Sequence, residues 1–380
     1  MTKSKSAGAK PAVSGAEPWN ADRPPPSDYR VINLALQGGG AHGAFTWGVL
    51  DRLLEDGRVG FDAITGASAG AMNAAVLAHG WVSDPKNPAE GARRALEAYW
   101  RAISVPSGFG GQTIDGNANS IGTRFMEAAG LGEFARAFAL DRSPAVVAFD
   151  LLTRVASPYQ FNPFNANPLR DVLDGLIDFE RLRAQSPFKL RICATSVRTG
   201  RPRIFSEKEL TTDMLLASSC LPFLFQAPEI DGEHFWDGGY SGNPPLFPLR
   251  TCSKVKDILL IQINPLVRDE LPDAASEIID RLNEISFNTS LMLEMRSIEF
   301  VQRLLDEDRV DPRRYQRIYM HMIAAEDQLR AFGAASKYTT AWDFLARLRD
   351  IGRECAAQWL DENFSAIGKR ATLDIARTFL

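Results

Sequence analysis

Two short apolar segments near the N terminus each end in a glycine-rich turn that opens a helical pattern. The first segment, VINLALQ, begins at Val31, runs into GGGAHG and continues as AFTWGVLDRLLEDG, whose apolar residues recur at helical spacing. The second segment, FDAIT, runs in the same way into GASAG and then into AMNAAVLAHGW. Two strand-to-helix turns within about forty residues predict a parallel α/β sheet with right-handed crossover connections.

Composition narrows the class of protein. The chain has 380 residues, 45% of them apolar and 24% charged, with a formal net charge of -4. It therefore lacks the basic excess expected of a nucleic-acid-binding protein. Four scattered cysteines without a CxxC pair predict reduced thiols and a cytoplasmic location. No segment has the ~20 apolar residues of a membrane span or the apolar core of a secretory signal, so any membrane contact would be peripheral.

The chain divides by composition into three parts. Residues 1–30 are rich in Pro, Ala, Ser and Gly and predict a disordered arm. Residues 31–270 carry the strand and helix patterns of one catalytic domain, and residues 271–380 predict a mainly helical extension packed on it. An irregular insertion at 104–185 is compatible with a lid over an acyl pocket or with an ordinary packed excursion. Nothing in the sequence predicts the oligomeric state.

The pentapeptide GASAG matches the nucleophile-elbow pattern, in which a sharp strand-to-helix turn lifts a serine hydroxyl above the sheet. Ser68 is the candidate nucleophile. Its neighbours are small because the strand and helix backbones meet at such a turn, and they are Gly66, Ala67, Ala69 and Gly70. The helix that begins after Ser68 would point its first N–H groups at a developing oxyanion.

A second glycine turn opens the preceding helix and admits two interpretations. It consists of Gly38, Gly39, Gly40, Ala41, His42 and Gly43. Gly38, Gly40 and Gly43 fit a GxGxxG dinucleotide fingerprint, with Asp62 at about the usual 20-residue distance. However, Asp62 begins its strand instead of ending it, and that strand leads straight into Ser68. We therefore favour an oxyanion hole, in which freed backbone N–H groups point at the carbonyl that Ser68 attacks.

A serine nucleophile needs a base, and histidine is its usual partner. The chain has four histidines: His42, His79, His234 and His321. None stands in the Asp/Glu-then-His order that triads use after a serine elbow. Each is therefore expected to be structural or at the surface, with His321 at an outward position of its strand.

The remaining candidate base is Asp237. It follows two short strands that Asp231 and Gly232 would join in a two-residue hairpin turn. Gly238 and Gly239 come next, and they let the backbone turn so that the carboxylate can project towards a neighbouring loop.

GGGAHG, GASAG and DGG, in that order, resemble the patatin-like phospholipase family, whose members pair the serine of GxSxG with the aspartate of Asp-Gly-Gly or Asp-Gly-Ala. The stretch ASSCLPFLFQAPEIDGEHFWDGGYSGNPPLFP is also similar to that family's, and the resemblance covers about Val31 to Pro265 without the insertion. It implies a three-layer α/β/α fold with a mostly parallel central sheet, followed here by C-terminal helices. It also implies a Ser-Asp dyad, with Ser68 as nucleophile and Asp237 as base, and no metal or cofactor.

The implied substrate is an acyl ester of a glycerolipid, as for a phospholipase A or a lysophospholipase. A general esterase or thioesterase with the same dyad, a non-hydrolytic lipid-binding protein of the same fold and a nucleotide-dependent oxidoreductase remain alternatives. One departure stands out, because family members generally carry Arg or Lys where this chain has His42. We interpret His42 as a residue that packs the glycine loop and not as a base.

Overall fold

The computed structural model describes residues 28–104, 157–268, 271–273, 275–332, 336–337 and 339–380. The strands of this part, in chain order, are β1 Arg30–Leu36, β2 Val59–Ala67, β3 Lys189–Ser196, β4 Pro202–Ser206, β5 Glu229–Ile230, β6 Glu233–Asp237, β7 Asp257–Gln262 and β8 Tyr319–Ala324. They form one sheet with the order β5-β6-β3-β2-β1-β7-β8, and β4 pairs with β3.

Helices connect and cover these strands. The α-helices are α1 Gly43–Asp56, α2 Ala69–Ser83, α3 Pro88–Ile103, α4 Pro158–Phe161, α5 Pro168–Leu176, α6 Phe179–Gln185, α7 Thr212–Ser218, α8 Phe247–Cys252, α9 Ala275–Asp306, α10 Glu326–Arg330, α11 Trp342–Asn363 and α12 Ile375–Phe379. Short 3-10 turns lie at Gly40–His42, Gly238–Tyr240 and Phe364–Ala366. None of the helices described combines the length and hydropathy needed to cross a membrane.

The sheet lies between two helical layers, because successive side chains of β1 point into two different cores. Ile32, Leu34 and Leu36 belong to a core that includes residues of α1, α2, α3 and α11. Ala35 points into a second core, which is built with residues of α8, α9 and α12. Because successive strand side chains face opposite sides, the two cores cover opposite faces. The predicted three-layer α/β/α class with a mostly parallel sheet is therefore confirmed.

The central pairs β3–β2, β2–β1, β1–β7 and β7–β8 are parallel, which brings the carboxyl ends of these strands to one edge of the sheet. Ligands and catalytic groups in open α/β sheets gather at this edge. The antiparallel strands β4 and β6 both pair with β3, and β5 pairs with β6.

Strand β3 has two successive partners along one edge. On its other edge, β4 pairs with it from Arg191 to Thr195. On the edge that has two partners, β2 pairs with β3 as far as Cys193, which lies opposite Ala67. The antiparallel β6 takes over at the next residue, where Ala194 lies opposite Asp237. The ends of β2 and β6 therefore meet head to head beside β3.

One local prediction is confirmed and another is wrong. The two-residue turn between β5 and β6 is present, with positive φ angles of 53° at Asp231 and 77° at Gly232. His321 is not at an outward position, because its side chain is buried and bonds Asp257 and Thr372. The alternation of polar and apolar residues in β8 suggested an exposed face, but the segment that follows α11 covers that face.

Two predicted segments fall wholly or mostly outside the described residues, namely the N-terminal arm and the first two thirds of the insertion. The rest of the insertion forms the short helices α4, α5 and α6. Leu173 of α5 and Leu182 of α6 are fully buried and join the core that contains α1, α2 and α3. This part of the insertion is a packed excursion.

The C-terminal part, from β8 onwards, belongs to the same sheet and core as the residues before it. Strand β8 extends the sheet, and α11 lies directly against α1. The two helices are in backbone contact, since a Cβ on Gly48 of α1 would overlap the carbonyl oxygen of Arg349, and one on Gly352 would overlap that of Phe45. Such close approach is possible only where no side chain intervenes.

We predict that Gly48→Ala lowers the free energy of unfolding by roughly 1–3 kcal/mol or more, because the added methyl group has to push α11 away from α1. Gly175→Ala is the matched control. Gly175 lies within α5 with no atom near the position of the new Cβ, so this change should be neutral or stabilise by up to about 1 kcal/mol. Urea denaturation measures both, and equal effects would contradict the close contact.

Candidate active site

Ser68 occupies a strained turn between β2 and α2. Its backbone angles are φ 52° and ψ -126°, a conformation that L-residues rarely adopt. Two acceptors on Ser218 fix this turn, because the Ser68 N–H points at the carbonyl oxygen (3.1 Å) and at Oγ (3.0 Å) of that residue. Gly70 allows the turn to close, since a Cβ there would overlap the carbonyl oxygen of Leu36. The Ser68 side chain remains at the surface of the elbow, and the residue is 9% exposed.

Asp237 lies at the end of β6, next to the end of β2. Because Ala67 and Asp237 pair with consecutive residues of β3, they are separated by about one strand residue, or ~3.3 Å, along the sheet. The backbone is fixed on both sides, by a bond from the Asp237 N–H to the Cys220 carbonyl (2.8 Å) and one from Thr195 Oγ1 to the Asp237 carbonyl (2.8 Å). The pairing therefore brings Ser68 and Asp237 together.

The Asp237 carboxylate is fully buried, and its two oxygens differ. Oδ1 accepts a hydrogen bond from the Gly239 N–H (2.7 Å), whereas Oδ2 has no partner within hydrogen-bonding distance among the described residues. Burial raises the pKa of Asp237 from 3.8 to about 7, and donation from Gly239 and from the Ser68 hydroxyl offsets part of that rise. Since no formed bond joins Ser68 to Oδ2, the Ser68 contact is a longer one.

The glycine loop contacts the serine elbow. A Cβ on Gly38 would lie 2.7 Å from Ser68 Cβ, so the loop approaches Ser68 to van der Waals contact. The Gly38 N–H is not available to an oxyanion, because it donates to Asn243 Oδ1 at 2.7 Å. The next two N–H groups, of Gly39 and Gly40, have no hydrogen bond to another described residue. Of the three glycines that open the predicted oxyanion loop, Gly39 and Gly40 therefore remain candidate donors.

Side-chain amides hold the glycine loop in place. Gln37, fully buried at the end of β1, accepts bonds at Oε1 from the N–H groups of Ile263 and Asn264, each at 2.8 Å. Its Nε2 donates to Asn288 of α9 at 3.1 Å. Asn264 Nδ2 donates to the Gly38 carbonyl at 2.7 Å. Both backbone groups of Gly38 are thus held by amide side chains.

No pattern in the sequence predicted these amides. Gln37, Asn243, Asn264 and Asn288 belong to no motif with a fixed spacing, and the three asparagines lie more than 200 residues from Gly38. The one local signal is that Gln37 and Asn264 each come soon after an apolar strand, where a polar residue reaches the carboxyl edge of the sheet.

His42 packs the loop against the C-terminal part of the chain. It is 2% exposed, its Nε2 lies 2.7 Å from Ser336 Oγ, and its ring contacts those of Phe332 and Phe344. Burial, and then the positive charge of Lys337, lower the pKa of His42 to about 4. His42 is therefore uncharged near neutral pH.

Lys337 brings a positive charge to the glycine loop in place of the uncharged His42. Its ammonium donates to Asn264 Oδ1 at 3.0 Å and lies 3.4 Å from the buried Glu284 carboxylate. Its backbone approaches Gly40 so closely that a Cβ there would overlap the Lys337 carbonyl oxygen. No sequence pattern connects Lys337 with the glycine loop, because the two lie almost 300 residues apart.

The other histidines lie elsewhere. His79 bonds Ser83 and the Asp178 N–H, His234 is half exposed on β6, and His321 pairs with Asp257, which begins β7 at the opposite end of the sheet from Ser68. None of these contacts is with the elbow or the glycine loop.

The dinucleotide interpretation is not supported by the position of Asp62. Both of its carboxylate oxygens accept from Lys189 Nζ at 2.9 Å, and Ser253 donates to one of them at 2.6 Å. Asp62 is therefore engaged within the protein and cannot bind a ribose without breaking these bonds. In the described ranges, no cluster of His, Cys, Asp and Glu has the form of a metal site.

Comparisons with known proteins give a family and a set of distant structures. VipD from Legionella pneumophila is 18% identical over 88% of this chain and 67% of its own, with a TM-score of 0.39. In the ExoU–SpcU complex of the Pseudomonas aeruginosa type III secretion system, the matched chain is 16% identical over 95% of this chain and 61% of its own, with a TM-score of 0.31. The present chain thus spans less than two thirds of that matched chain.

No curated protein sequence matches this chain. The model of the family described as patatin-like phospholipase matches residues 34–250, more than half of the 380 residues. This range contains the glycine loop, the serine elbow and the aspartate loop described above. The chain belongs to the patatin-like phospholipase family.

Proposed function

We propose that this protein is a serine hydrolase that cleaves carboxylic esters of glycerolipids, with Ser68 as nucleophile and Asp237 as base. Family membership supports lipid hydrolysis as the general activity. The observation that supports the dyad is the succession of β2 and β6 along one edge of β3, which brings the strained serine turn next to a buried carboxylate. Phospholipids and lysophospholipids are the substrates we expect.

In the first step, Ser68 Oγ attacks the acyl carbonyl carbon while its proton passes to Asp237. The acceptor is Oδ2, since Gly239 holds Oδ1 and leaves Oδ2 without a partner among the described residues. A base whose pKa is near the working pH combines a large deprotonated fraction with a strong tendency to accept the proton. The raised pKa of about 7 gives Asp237 this property without a histidine.

Backbone N–H groups stabilise the tetrahedral oxyanion. Gly39 and Gly40 supply two that are not used elsewhere in the described structure, and the first turn of α2 adds the positive end of a helix dipole. The tetrahedral intermediate then collapses, and the alcohol leaves with the proton held by Asp237. Water, activated by the same carboxylate, hydrolyses the acyl-serine and restores the free enzyme.

We expect Ser68→Ala to lower kcat at least ~10⁴-fold and Asp237→Asn to lower it by roughly 10²–10⁴-fold. Ser68→Ala should also abolish covalent labelling by a fluorophosphonate probe, because the probe reacts with an activated serine. Hydrolysis is measured with phosphatidylcholine, lysophosphatidylcholine, triacylglycerol and a short p-nitrophenyl ester. Labelling that survives Ser68→Ala would overturn the assignment of the nucleophile.

Asp257→Asn is the matched control for Asp237→Asn. Asp257 is another buried aspartate of the same sheet, but it pairs with His321 at the far end of β7. Its replacement should lower stability and leave kcat within about twofold of the wild type. An equal loss of kcat in both variants would attribute the effect to general disruption of the sheet, and the base would have to be reassigned.

The pH dependence of kcat/KM tests the base. Because the active form of Asp237 is deprotonated and its pKa is about 7, kcat/KM should fall about tenfold per pH unit below 7 and level off above about 8. His42→Gln should leave this ascending limb where it is, since His42 is already neutral in that range. A limb that moves in His42→Gln would assign the titrating group to the histidine.

The raised pKa also predicts that Asp237→Asn, which should lose activity, is more stable than the wild type at alkaline pH. The native state binds the Asp237 proton more tightly than the unfolded chain does, so this group's stabilisation is complete below about pH 4 and disappears as pH rises to about 7. Above pH 7 a buried charge remains. Asp237→Asn removes that charge and should raise the free energy of unfolding at pH 8 by roughly 2–4 kcal/mol. Urea denaturation at pH 4 and pH 8 measures the difference, and a destabilised variant at pH 8 would contradict it.

A further inference from the structure

Helix α9 is apolar on two opposite faces. Phe287, Leu291, Met295 and Ile298 recur at steps of three or four residues and are buried in the protein. The other face carries six exposed apolar side chains at the same kind of spacing. These are Ile278 (43% exposed), Leu282 (58%), Ile285 (48%), Met292 (37%), Leu293 (55%) and Phe300 (51%). We call this exposed set the α9 stripe.

An apolar face of a helix is normally covered by a protein core or by lipid. The α9 stripe is covered by nothing that the structure describes. An exposed apolar patch of this extent marks a site of interaction with another surface. The hydroxyl and charged groups beside the stripe indicate which surface that is.

The hydroxyl groups on this side of α9 are already satisfied within the helix. Ser286, Thr289 and Ser297 each donate to the carbonyl four residues earlier, at 2.8, 2.6 and 2.9 Å. Burying the stripe in an apolar medium would therefore leave no hydroxyl donor without a partner, which removes the main penalty of dehydrating polar groups.

The charges on the stripe are cationic. Arg296 and Arg303 lie on the exposed face, and neither guanidinium forms an ion pair in the described part of the chain. Arg303 instead lies over the Phe300 ring, 5.6 Å from its centroid. Glu299 borders the stripe, whereas Glu284 and Glu294 belong to the buried side. Apolar side chains with arginines among them fit an anionic lipid surface, where the guanidinium groups reach phosphates while the aliphatic groups enter the acyl region.

The same helix contacts the candidate active site. The Phe287 ring packs against Tyr240 with centroids 5.1 Å apart and lies against Gly239 of the aspartate loop. One turn of helix later, Ser290 Oγ accepts from the Asn243 N–H at 3.3 Å. A membrane bound to the stripe would therefore lie within one helix diameter, ~10 Å, of the aspartate loop.

We propose that the α9 stripe docks this protein on anionic phospholipid bilayers, so that lipid enters the active site directly from the surface. The choice of lipid over a protein partner rests on the proposed function, because the substrate then lies in the surface that is bound. A second copy of the chain, or a segment outside the described residues, is the competing occupant.

The test uses the inactive Ser68→Ala protein, so that binding is measured without hydrolysis. Vesicles of phosphatidylcholine with phosphatidylglycerol, and vesicles of phosphatidylcholine alone, are titrated in a sedimentation assay. Leu282→Gln/Leu293→Gln should raise the half-saturating lipid concentration at least ~10-fold on the anionic vesicles, since two exposed leucines no longer enter the bilayer. Arg296→Gln/Arg303→Gln should reduce the preference for anionic over neutral vesicles several-fold.

Leu380→Gln is the matched control. Leu380 is 56% exposed but follows α12, which packs on the buried side of α9, so lipid binding should not change. Thermal unfolding checks that all variants are folded. Failure of the Ser68→Ala protein to bind anionic vesicles, or equal binding by the leucine pair variant, would overturn the proposal. A leucine pair variant that becomes monomeric while its parent is a dimer would overturn it in favour of a second copy.

Activity on a monomeric substrate separates this proposal from the proposed function. With Ser68 intact, the leucine pair variant should hydrolyse a short p-nitrophenyl ester at the wild-type rate and lose activity only on vesicles. If the wild-type protein cleaves the soluble ester but does not bind vesicles, the proposed dyad is supported and the proposed docking surface is overturned. If the wild-type protein binds vesicles through the stripe but cleaves neither substrate, the docking surface is supported and the proposed dyad is overturned.

Discussion

Backbone pairing along β3 is the interaction on which the candidate site depends. Strands β2 and β6 run in opposite directions and pair with successive parts of one edge of β3. Hydrogen bonds of the sheet therefore place the end of β2 next to the end of β6. Ser68 and Asp237, the proposed nucleophile and base, are thus positioned by strands of the central sheet. Neither depends on a long loop for its position, and the strain at Ser68 is borne by the neighbouring sheet and by Ser218.

The buried carboxylate and the amide network are two parts of one electrostatic arrangement. Around Asp237, the surroundings supply little solvation, which keeps the carboxylate basic. Around Gly38, by contrast, side-chain amides of Asn243 and Asn264 satisfy both backbone groups and fix the loop. Lys337 adds a positive charge at this loop. A carboxylate of raised pKa and the N–H groups that we propose as oxyanion donors thus lie on either side of Ser68.

The features that were predicted correctly are those determined by residues close together in the sequence. The two strand-turn-helix units, the fold class and the hairpin turn at Asp231 and Gly232 follow from local patterns and are present. The roles of Ser68 and Asp237 remain predictions that the geometry supports. The amides around Gly38, the positive charge of Lys337 beside the glycine loop and the burial of His321 could not be predicted, because each depends on residues far away in the chain. For His321 in particular, period-two alternation identified a strand with two different faces but not the segment that covers the second one.

The contact of α1 with α11 has a consequence for how the chain can be divided. Helix α1 begins in the glycine loop, and its packing on α11 joins that loop to the last forty residues of the chain through two glycines. The family match ends at residue 250, before β7, whose pairing with β1 completes the centre of the sheet. A protein cut at the end of the matched range would therefore lose an inner strand, the support of Gly38 by Asn264 and the helix beneath the loop. The matched range therefore holds the three loops of the candidate site, whereas the sheet and the helices packed on it extend almost to the C terminus.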